Sequence, residues 1–332
     1  MIITRTPFRI SFFGGGTDYP VYYKENGGAV LSTTINRYCY ISLRHLPPFF
    51  EHKHRIVYRR IEQVTGVDQI VHPSVRECLR YMDIREGLEI HHDGDLPARS
   101  GLGSSSSFTV GLIHALSACK GKMVSKMELA EAAIHVEQNM IKENVGSQDQ
   151  TSAAFGGLNK IIFNGSTGHH LQVMPLTIMM ERLRELENNL MMFFTGFSRF
   201  ASEIAEKQIS ETPRKMKELD EMRSKVDEAS AILTGEGCID DFGRLLHENW
   251  LIKRSLTNKI STGEIDDIYE KARREGAIGG KLLGAGGGGF IIFFVKPDYQ
   301  RRLKEALGLL HVPFRFEHCG SQLIFYEPEA LE

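Results

Sequence analysis

The 332-residue chain has no long hydrophobic run, no surplus of either charge and no paired-cysteine pattern, and each lack removes a class of protein. Its longest apolar runs, such as Phe290–Val295, reach six residues, whereas a helix needs roughly 20 to cross a bilayer, so no transmembrane helix is expected. Arg5 and Arg9 precede any long apolar stretch, and the N-terminus does not read as a signal peptide. Forty basic against 42 acidic side chains leave a net charge of −2. With no block of like charge, neither nucleic acid nor an anionic membrane is an expected partner. The five cysteines, at 39, 78, 119, 238 and 319, are odd in number and form no CxxC, which favours reduced thiols in a cytoplasmic enzyme over a disulfide framework. There is also no internal repeat and no low-complexity tail. What remains is an ordinary composition, 42% hydrophobic and 25% charged, over a length that suggests about two domains.

Thr4–Phe13 alternates, is rich in β-branched and aromatic residues, and stops at Gly14-Gly15-Gly16, as a strand ending in a tight turn would. Ala29–Leu43 continues as strand, and Pro47-Pro48 marks a loop. Leu88–His92 reads as a strand feeding a Gly/Pro/Ser loop, after which Phe108–Cys119 has helical spacing. Lys126–Ile141 is a second expected helix, with Glu137 on the same stripe as Ala133 and Met140. The glycine-rich stretch Gly146–Gly157 and the turn 164–168 suggest a division of the chain into 1–168 and 169–332. Beyond it, Leu190–Thr195 reads as strand, Phe200–Leu233 as helix interrupted at Pro213, and Asp241–Leu256 and Glu264–Glu275 as helices, the last closed by Gly276. Ile291–Val295 and Gln322–Tyr326 are the remaining expected strands.

Two glycine segments carry most of the chemical information. Residues 97–107 run directly into a helix, so the backbone can approach a ligand closely while the free amides of the helix start face it; phosphate suits that arrangement. A capped helix behind a plain loop is the alternative, since serines are good N-caps. The segment is not a Walker A loop, because the lysine of GxxxxGK[ST] is missing. Residues 284–289 satisfy GxGxxG formally, yet a strand follows instead of a helix and no room is left for a dinucleotide-binding unit. That run reads either as a tight packing turn or as a loop braced against another backbone.

Glu137 is costly to bury as an anion unless paired or bound to a metal; an edge position is the alternative. Asp149 could equally be a turn aspartate. His91-His92, His169-His170 and His52-Lys53-His54 lack metal-ligand spacing and read as surface or turn histidines. There is no GxSxG elbow and no evident Cys/His nucleophile pair.

Taken together and in order, three segments resemble the GHMP kinase superfamily: Pro7–Tyr19, Pro97–Ser107 and Lys281–Phe290. The resemblance spans nearly the whole chain. It implies a two-domain α+β fold, with an N-terminal ATP-binding domain like ribosomal protein S5 domain 2 and a ferredoxin-like C-terminal domain, and it implies ATP and Mg²⁺ as cofactors. Residue by residue, it implies that Arg99, Ser100, Gly101, Leu102, Gly103, Ser104, Ser105, Ser106 and Ser107 surround the ATP phosphates. Ser105 and Glu137 would ligate Mg²⁺, Asp149 would take the proton from the attacking hydroxyl, and Arg9 would stand beside it. Gly284, Gly286, Gly287 and Gly288 would support the phosphate loop.

Two departures narrow the branch. Mevalonate kinases carry a lysine near the position of Arg9, and galactokinases carry Glu-His where Gly15-Gly16 stands. The Gly-Gly-Gly-Thr-Asp form, with Thr195–Arg199 and Trp250–Lys253, looks like the kinases of D-glycero-D-manno-heptose 7-phosphate; fucose-type kinases share part of it. Gly15, Gly16, Thr17 and Asp18 would then meet the sugar, and Arg199 or Lys253 a second phosphate. Arg199 pairing with Glu203, and Lys253 as a solvated helix lysine, are the plain alternatives. A sugar or sugar phosphate is the expected partner, a catalytically silent sensor is the reading from another class, and the oligomeric state stays open between monomer and homodimer.

Overall fold

The computed structural model describes residues 1–98, 100–165, 171–196 and 201–327. The chain opens with β1 (Ile2–Phe13), stopped by Gly14 at φ 77°. A β-carbon there would lie 1.9 Å from the Ala29 carbonyl oxygen, a turn only glycine can make. Next come α1 (Pro20–Asn26), β2 (Gly28–His45), β3 (His54–Val57), β4 (Ile61–Val64), α2 (Pro73–Tyr81) and β5 (Leu88–Gly94). Helix α3 (Ser104–Cys119) follows the serine-rich loop. Helix α4 (Lys126–His135) starts on a capping box of Ser125 and Glu128, and α5 (Gln148–Phe155), β6 (Asn159–Phe163) and β7 (Leu171–Pro175) complete this half.

Strand β2 organises the first sheet. One side of it pairs antiparallel with β1 along almost its whole length. The other side pairs first with β6, through 28–32, and then with β5, through 39–45. Helix α3 lies on β1 and β2 with α4 and α5 beside it. The apolar stripe of α3 and the inward faces of β1 and β2 (Ile10, Phe12, Ile41, Leu112, Leu116) form the larger core.

The remaining elements are α6 (Met180–Asn188), β8 (Leu190–Gly196), α7 (Ala201–Glu211), α8 (Met216–Thr234), α9 (Asp240–Leu256), α10 (Gly263–Arg274), β9 (Ala277–Leu282), β10 (Gly289–Val295), α11 (Pro297–Leu307), β11 (Leu310–His311), β12 (Phe316–Glu317) and β13 (Gln322–Tyr326). Strands β11, β8, β10 and β9 form a second, antiparallel sheet, with Trp250, Tyr269 and Phe293 in its core. Helix α9 lies very close on this sheet, because a β-carbon on Gly279 would sit 1.9 Å from the Gly243 carbonyl. The rings of Phe12 and Phe13 meet Phe242 of α9 edge-on at 5.4 and 5.2 Å, which locks the two halves together.

The expected division at 168/169 does not coincide with the change of sheet. Strand β7 extends the first sheet, and β12 and β13 return to it from the end of the chain. Two further differences bear on the site. The helix expected over 126–141 is α-helical only to His135; Val136–Ile141 is a π-helical turn. The glycine-rich stretch after it contains α5, whose Gln148–Phe155 pattern is too short and polar to betray a helix.

Candidate active site

A cleft of about 490 Å³ opens between the two halves. One wall is the loop before α3. Gly101 has φ 87°, and Gly103 caps the helix in a left-handed conformation, so the first amides of α3 face the cleft with their partial positive charge. Hydrogen bonds from Phe290 N to Ser100 O (3.1 Å) and from Arg9 N to Leu102 O (3.1 Å) hold the loop. The second glycine run lies against it: a β-carbon on Gly284 would fall 2.4 Å from the Gly101 α-carbon, and one on Gly101 would fall 2.5 Å from the Leu283 carbonyl. Gly289 abuts the loop as well, a β-carbon there falling 2.3 Å from the Ser100 carbonyl oxygen. Gly286 abuts Ile260 and the Gly287 amide donates to Ile260 O at 2.9 Å, so these two also brace the 257–260 turn. Gly288 has φ 140°.

The helical period sorts the serines. Gly101, Gly103, Ser104 and Ser105 line the cleft. Ser106 and Ser107 point inward: Ser106 Oγ donates to Glu137 Oε2 at 2.8 Å, and Ser107 Oγ donates to Pro7 O at 2.9 Å. Leu102 is a core residue, and Ser100 Oγ is tied to Pro97 O. The side chains of Leu102, Ser106 and Ser107 thus turn away from the cleft, which leaves only their main chain to face a phosphate, and the hydroxyl bonded to Glu137 is that of Ser106. Arg99 lies outside the described residues.

Arg9 and Asp149 meet across the cleft floor. Arg9 Nε and Nη2 donate to the two carboxylate oxygens of Asp149 at 2.7 and 2.8 Å, and Nη1 donates to Gly101 O at 2.7 Å. This bidentate grip fixes the carboxylate beside the loop; Gly103 is so close that a β-carbon would stand 3.3 Å from Asp149 Oδ2. Glu137 is fully buried behind the floor, on the π-helical turn. Its Oε2 accepts from Ser106 and Gln150, while Oε1 has no partner. Burial is the main cause that pushes its carboxyl up to about 7, against the hydrogen bonds that favour the anion. A buried carboxylate with a free oxygen next to a phosphate loop suits Mg²⁺, which takes one or two carboxylates and completes its shell with phosphate oxygens and water. Among the described residues no group of three or more acidic, His or Cys side chains offers a metal site of another kind.

The opposite wall is built of side chains. Asp18 is buried, accepts from the amides of Gly16 (2.9 Å) and Gln148 (3.4 Å), and has its carboxyl raised to about 6, chiefly by burial and then by the charge of Asp149. Gly146 makes room for it, since a β-carbon there would lie 1.9 Å from Asp18 Oδ2. Gly15, Gly16 and Lys253 line the same wall. Thr17 does not: its hydroxyl donates to Gly14 O and Ala29 O inside the turn, so its expected role toward substrate is corrected to a structural one. Arg199 lies outside the described residues. Lys253 is not a solvated helix lysine; it is buried and donates to Gly284 O (2.6 Å) and Leu282 O (3.3 Å). Sequence reasoning gave no role to Lys281 and Gln208, which also line the cleft. Lys281 stood in plain view as a lone cation opening a glycine motif, whereas Gln208 sits mid-helix with no local signal.

Comparison with known proteins places the chain in a family. The GHMP kinases N terminal domain matches residues 69–157 and the GHMP kinases C terminal domain matches 229–310. The D-glycero-alpha-D-manno-heptose 7-phosphate kinase of Campylobacter jejuni is 30% identical over 92% of this chain and 93% of its own length. The chain belongs to the GHMP kinase family. It is accordingly an ATP-dependent phosphotransferase with the two-domain fold of that family. The galactokinase of Thermotoga maritima is 25% identical over 98% of this chain and 97% of its own. Among solved structures, a D-glycero-D-manno-heptose 1-phosphate kinase from Bacteroides thetaiotaomicron superposes with a TM-score of 0.78 at 23% identity, covering 97% of this chain and 98% of that one. Galactose-bound Lactococcus lactis galactokinase does so at 0.77 and 19%, covering 97% and 94%. No helix among the described residues is long and apolar enough to cross a membrane.

Proposed function

We propose that this kinase transfers the γ-phosphoryl group of ATP to the anomeric C1 hydroxyl of a sugar phosphate, with D-glycero-D-manno-heptose 7-phosphate as acceptor and the 1,7-bisphosphate as product. The observation that carries the reaction is the Arg9–Asp149 pair, placed in one cleft between the glycine loop at Gly101–Ser105 and the buried carboxylate of Asp18. The heptose 7-phosphate kinase relative, matched over nearly its full length, supports the acceptor.

In this reading the α3 amides and the hydroxyls of Ser104 and Ser105 hold the ATP phosphates, while Asp18 accepts hydrogen bonds from sugar hydroxyls. Asp149, aimed by Arg9, orients the C1 hydroxyl and takes its proton as the new O–P bond forms and the β–γ bridge breaks to leave ADP. Glu137, with Ser105 on the cleft side of the loop, would hold Mg²⁺, and the Ser106 hydroxyl would steady the Glu137 carboxylate. Held there, the ion would supply positive charge to offset that of the ATP phosphates. Arg9 also remains beside the reacting phosphate as a fixed positive charge.

The galactokinase relatives favour a second reading, C1 phosphorylation of an unphosphorylated sugar. The two are separated by comparing kcat/KM for a sugar phosphate and for the same sugar without its phosphate. A charge-assisted contact to the second phosphate contributes roughly 1.5–3 kcal/mol, so the proposal expects at least about a tenfold preference for the phosphorylated acceptor. Equal or reversed values would support the second reading.

A further inference from the structure

Two lysines in the cleft have no role in the account so far that explains their charge. Lys281, at the end of β9, is 2% exposed. Its Nζ donates to Ser11 O at 2.7 Å and Phe12 O at 2.8 Å, two carbonyls near the end of β1. Lys253 Nζ likewise donates to two carbonyls, those of Gly284 and Leu282. An ammonium has three donors, so each keeps one. Neutral carbonyls do not balance a buried cation, which is costly to leave without a counter-charge. Arg9 cannot share its own, being already committed to Asp149. The neighbouring charges make matters worse for Lys281: burial first, then Lys253 and Arg9, push its ammonium down, and Asp18 alone opposes them. Among the described residues that line the cleft, the four cations Arg9, Lys142, Lys253 and Lys281 thus face the three carboxylates Asp18, Glu143 and Asp149, and Ser11 Oγ and Gln148 Oε1 there also lack partners.

We propose that Lys281, with Lys253 beside it, is a catalytic residue that binds the phosphoryl group in transfer. Location decides between this group and the acceptor's own phosphate. Lys253 grips Gly284, which abuts Gly101 of the phosphate loop. Lys281 grips the main-chain carbonyls of Ser11 and Phe12, just along β1 from Arg9, whose charge acts on it. Both lysines line one cleft with the glycine loop and Asp149, and both feel the charge of Arg9, which grips Asp149. Charge fixed there gains most when negative charge spreads over the equatorial oxygens of the transition state. The inference rests on the kinase activity and is independent of which sugar is the acceptor.

The test uses the full-length enzyme with Mg²⁺ and two probes that need no acceptor: a non-hydrolysable ATP analogue for the ground state, and ADP with aluminium fluoride for the transferring group. Lys281→Met is expected to bind the analogue within about threefold of wild type, to bind the fluoroaluminate complex at least about thirtyfold more weakly, and to lose about 10²–10³ in kcat. Lys281→Arg should recover part of the loss. Parallel weakening of both probes, or unchanged fluoroaluminate affinity, would mean that Lys281 is only a staple for β1, and would overturn the proposal. Should Lys281→Met fail to fold, a crystal structure of the wild-type fluoroaluminate complex decides: Nζ at about 3 Å from a fluoride is expected, and Nζ beyond about 5 Å, outside any hydrogen bond, contradicts it. Failure to find any sugar acceptor would count against the proposed substrate and leave this result standing or falling by itself.

Discussion

The donor wall of the cleft, Gly101–Ser105 with Gly284 behind it, is main chain; the opposite wall is Asp18, Lys253, Lys281 and Gln208, side chains drawn from four separate segments. The first would bind mainly through amides and close approach, so it needs glycines at fixed places and leaves no room for a β-carbon at Gly101 or Gly284. The second binds through buried charge, so it depends on what each ion finds beside it once the chain has folded. In the proposed reading phosphate, common to every ATP-using reaction, falls chiefly to the rigid backbone. In the same reading, acceptor recognition falls to Asp18 and its neighbours, side chains that can differ while the fold stays, and the two lysines take the phosphoryl group in transfer.

The largest expected effect lies where the walls meet. Asp149→Asn keeps the shape and removes the anion, so kcat should fall by about 10²–10⁴ while ATP affinity by titration stays near wild type. Retention of more than about a tenth of kcat would remove the proton-accepting role from Asp149. On the donor wall, Gly284→Val forces a left-handed residue and drives a side chain into Gly101. ATP affinity should drop by about ten- to a hundredfold, with a smaller change for the acceptor. On the acceptor wall the pattern reverses: Gly146→Ala pushes on Asp18, and overpacking of this kind should raise the acceptor KM by about tenfold, leaving ATP affinity unchanged. If both variants weakened both substrates equally, the division of labour between the walls would be wrong.

The smallest effect is on stability. Folding raises the Asp18 carboxyl from 3.8 to about 6, so the folded protein loses stability as pH climbs through that window and the buried group ionises. Asp18→Asn should therefore melt higher than wild type at pH 7–8, by about 2–5 °C, with the gain fading toward pH 4. Acceptor binding should be lost throughout. A thermal melt series across pH checks the sign, and a variant less stable than wild type at neutral pH would contradict it.

The contrast between the walls also accounts for what could be read from the sequence. The strand before Gly14, the helix after Ser104, and the glycine motifs are local patterns, and each sits in the structure within a few residues of its expected bounds. Asp149 and Glu137 were legible as chemistry through the resemblance, but the partner of Glu137 was not. The π-helical turn at 136–141 and the first turn of α3 together decide that Ser106 and not Ser105 reaches it. Thr17 resembles a substrate ligand in sequence and is spent on its own turn. Lys253 and Lys281 owe their environment to β1, β9 and the 284–289 loop meeting, a contact between residues some 270 positions apart that no local pattern encodes.

Product analysis tests the central claim most directly. The enzyme is incubated with ATP, Mg²⁺ and D-glycero-D-manno-heptose 7-phosphate, and the product is examined by phosphorus–proton correlation NMR. The account predicts a 1,7-bisphosphate whose new phosphorus couples to the anomeric proton. A new phosphate on any other carbon, or no product from this acceptor while a free sugar is phosphorylated at C1, would contradict it.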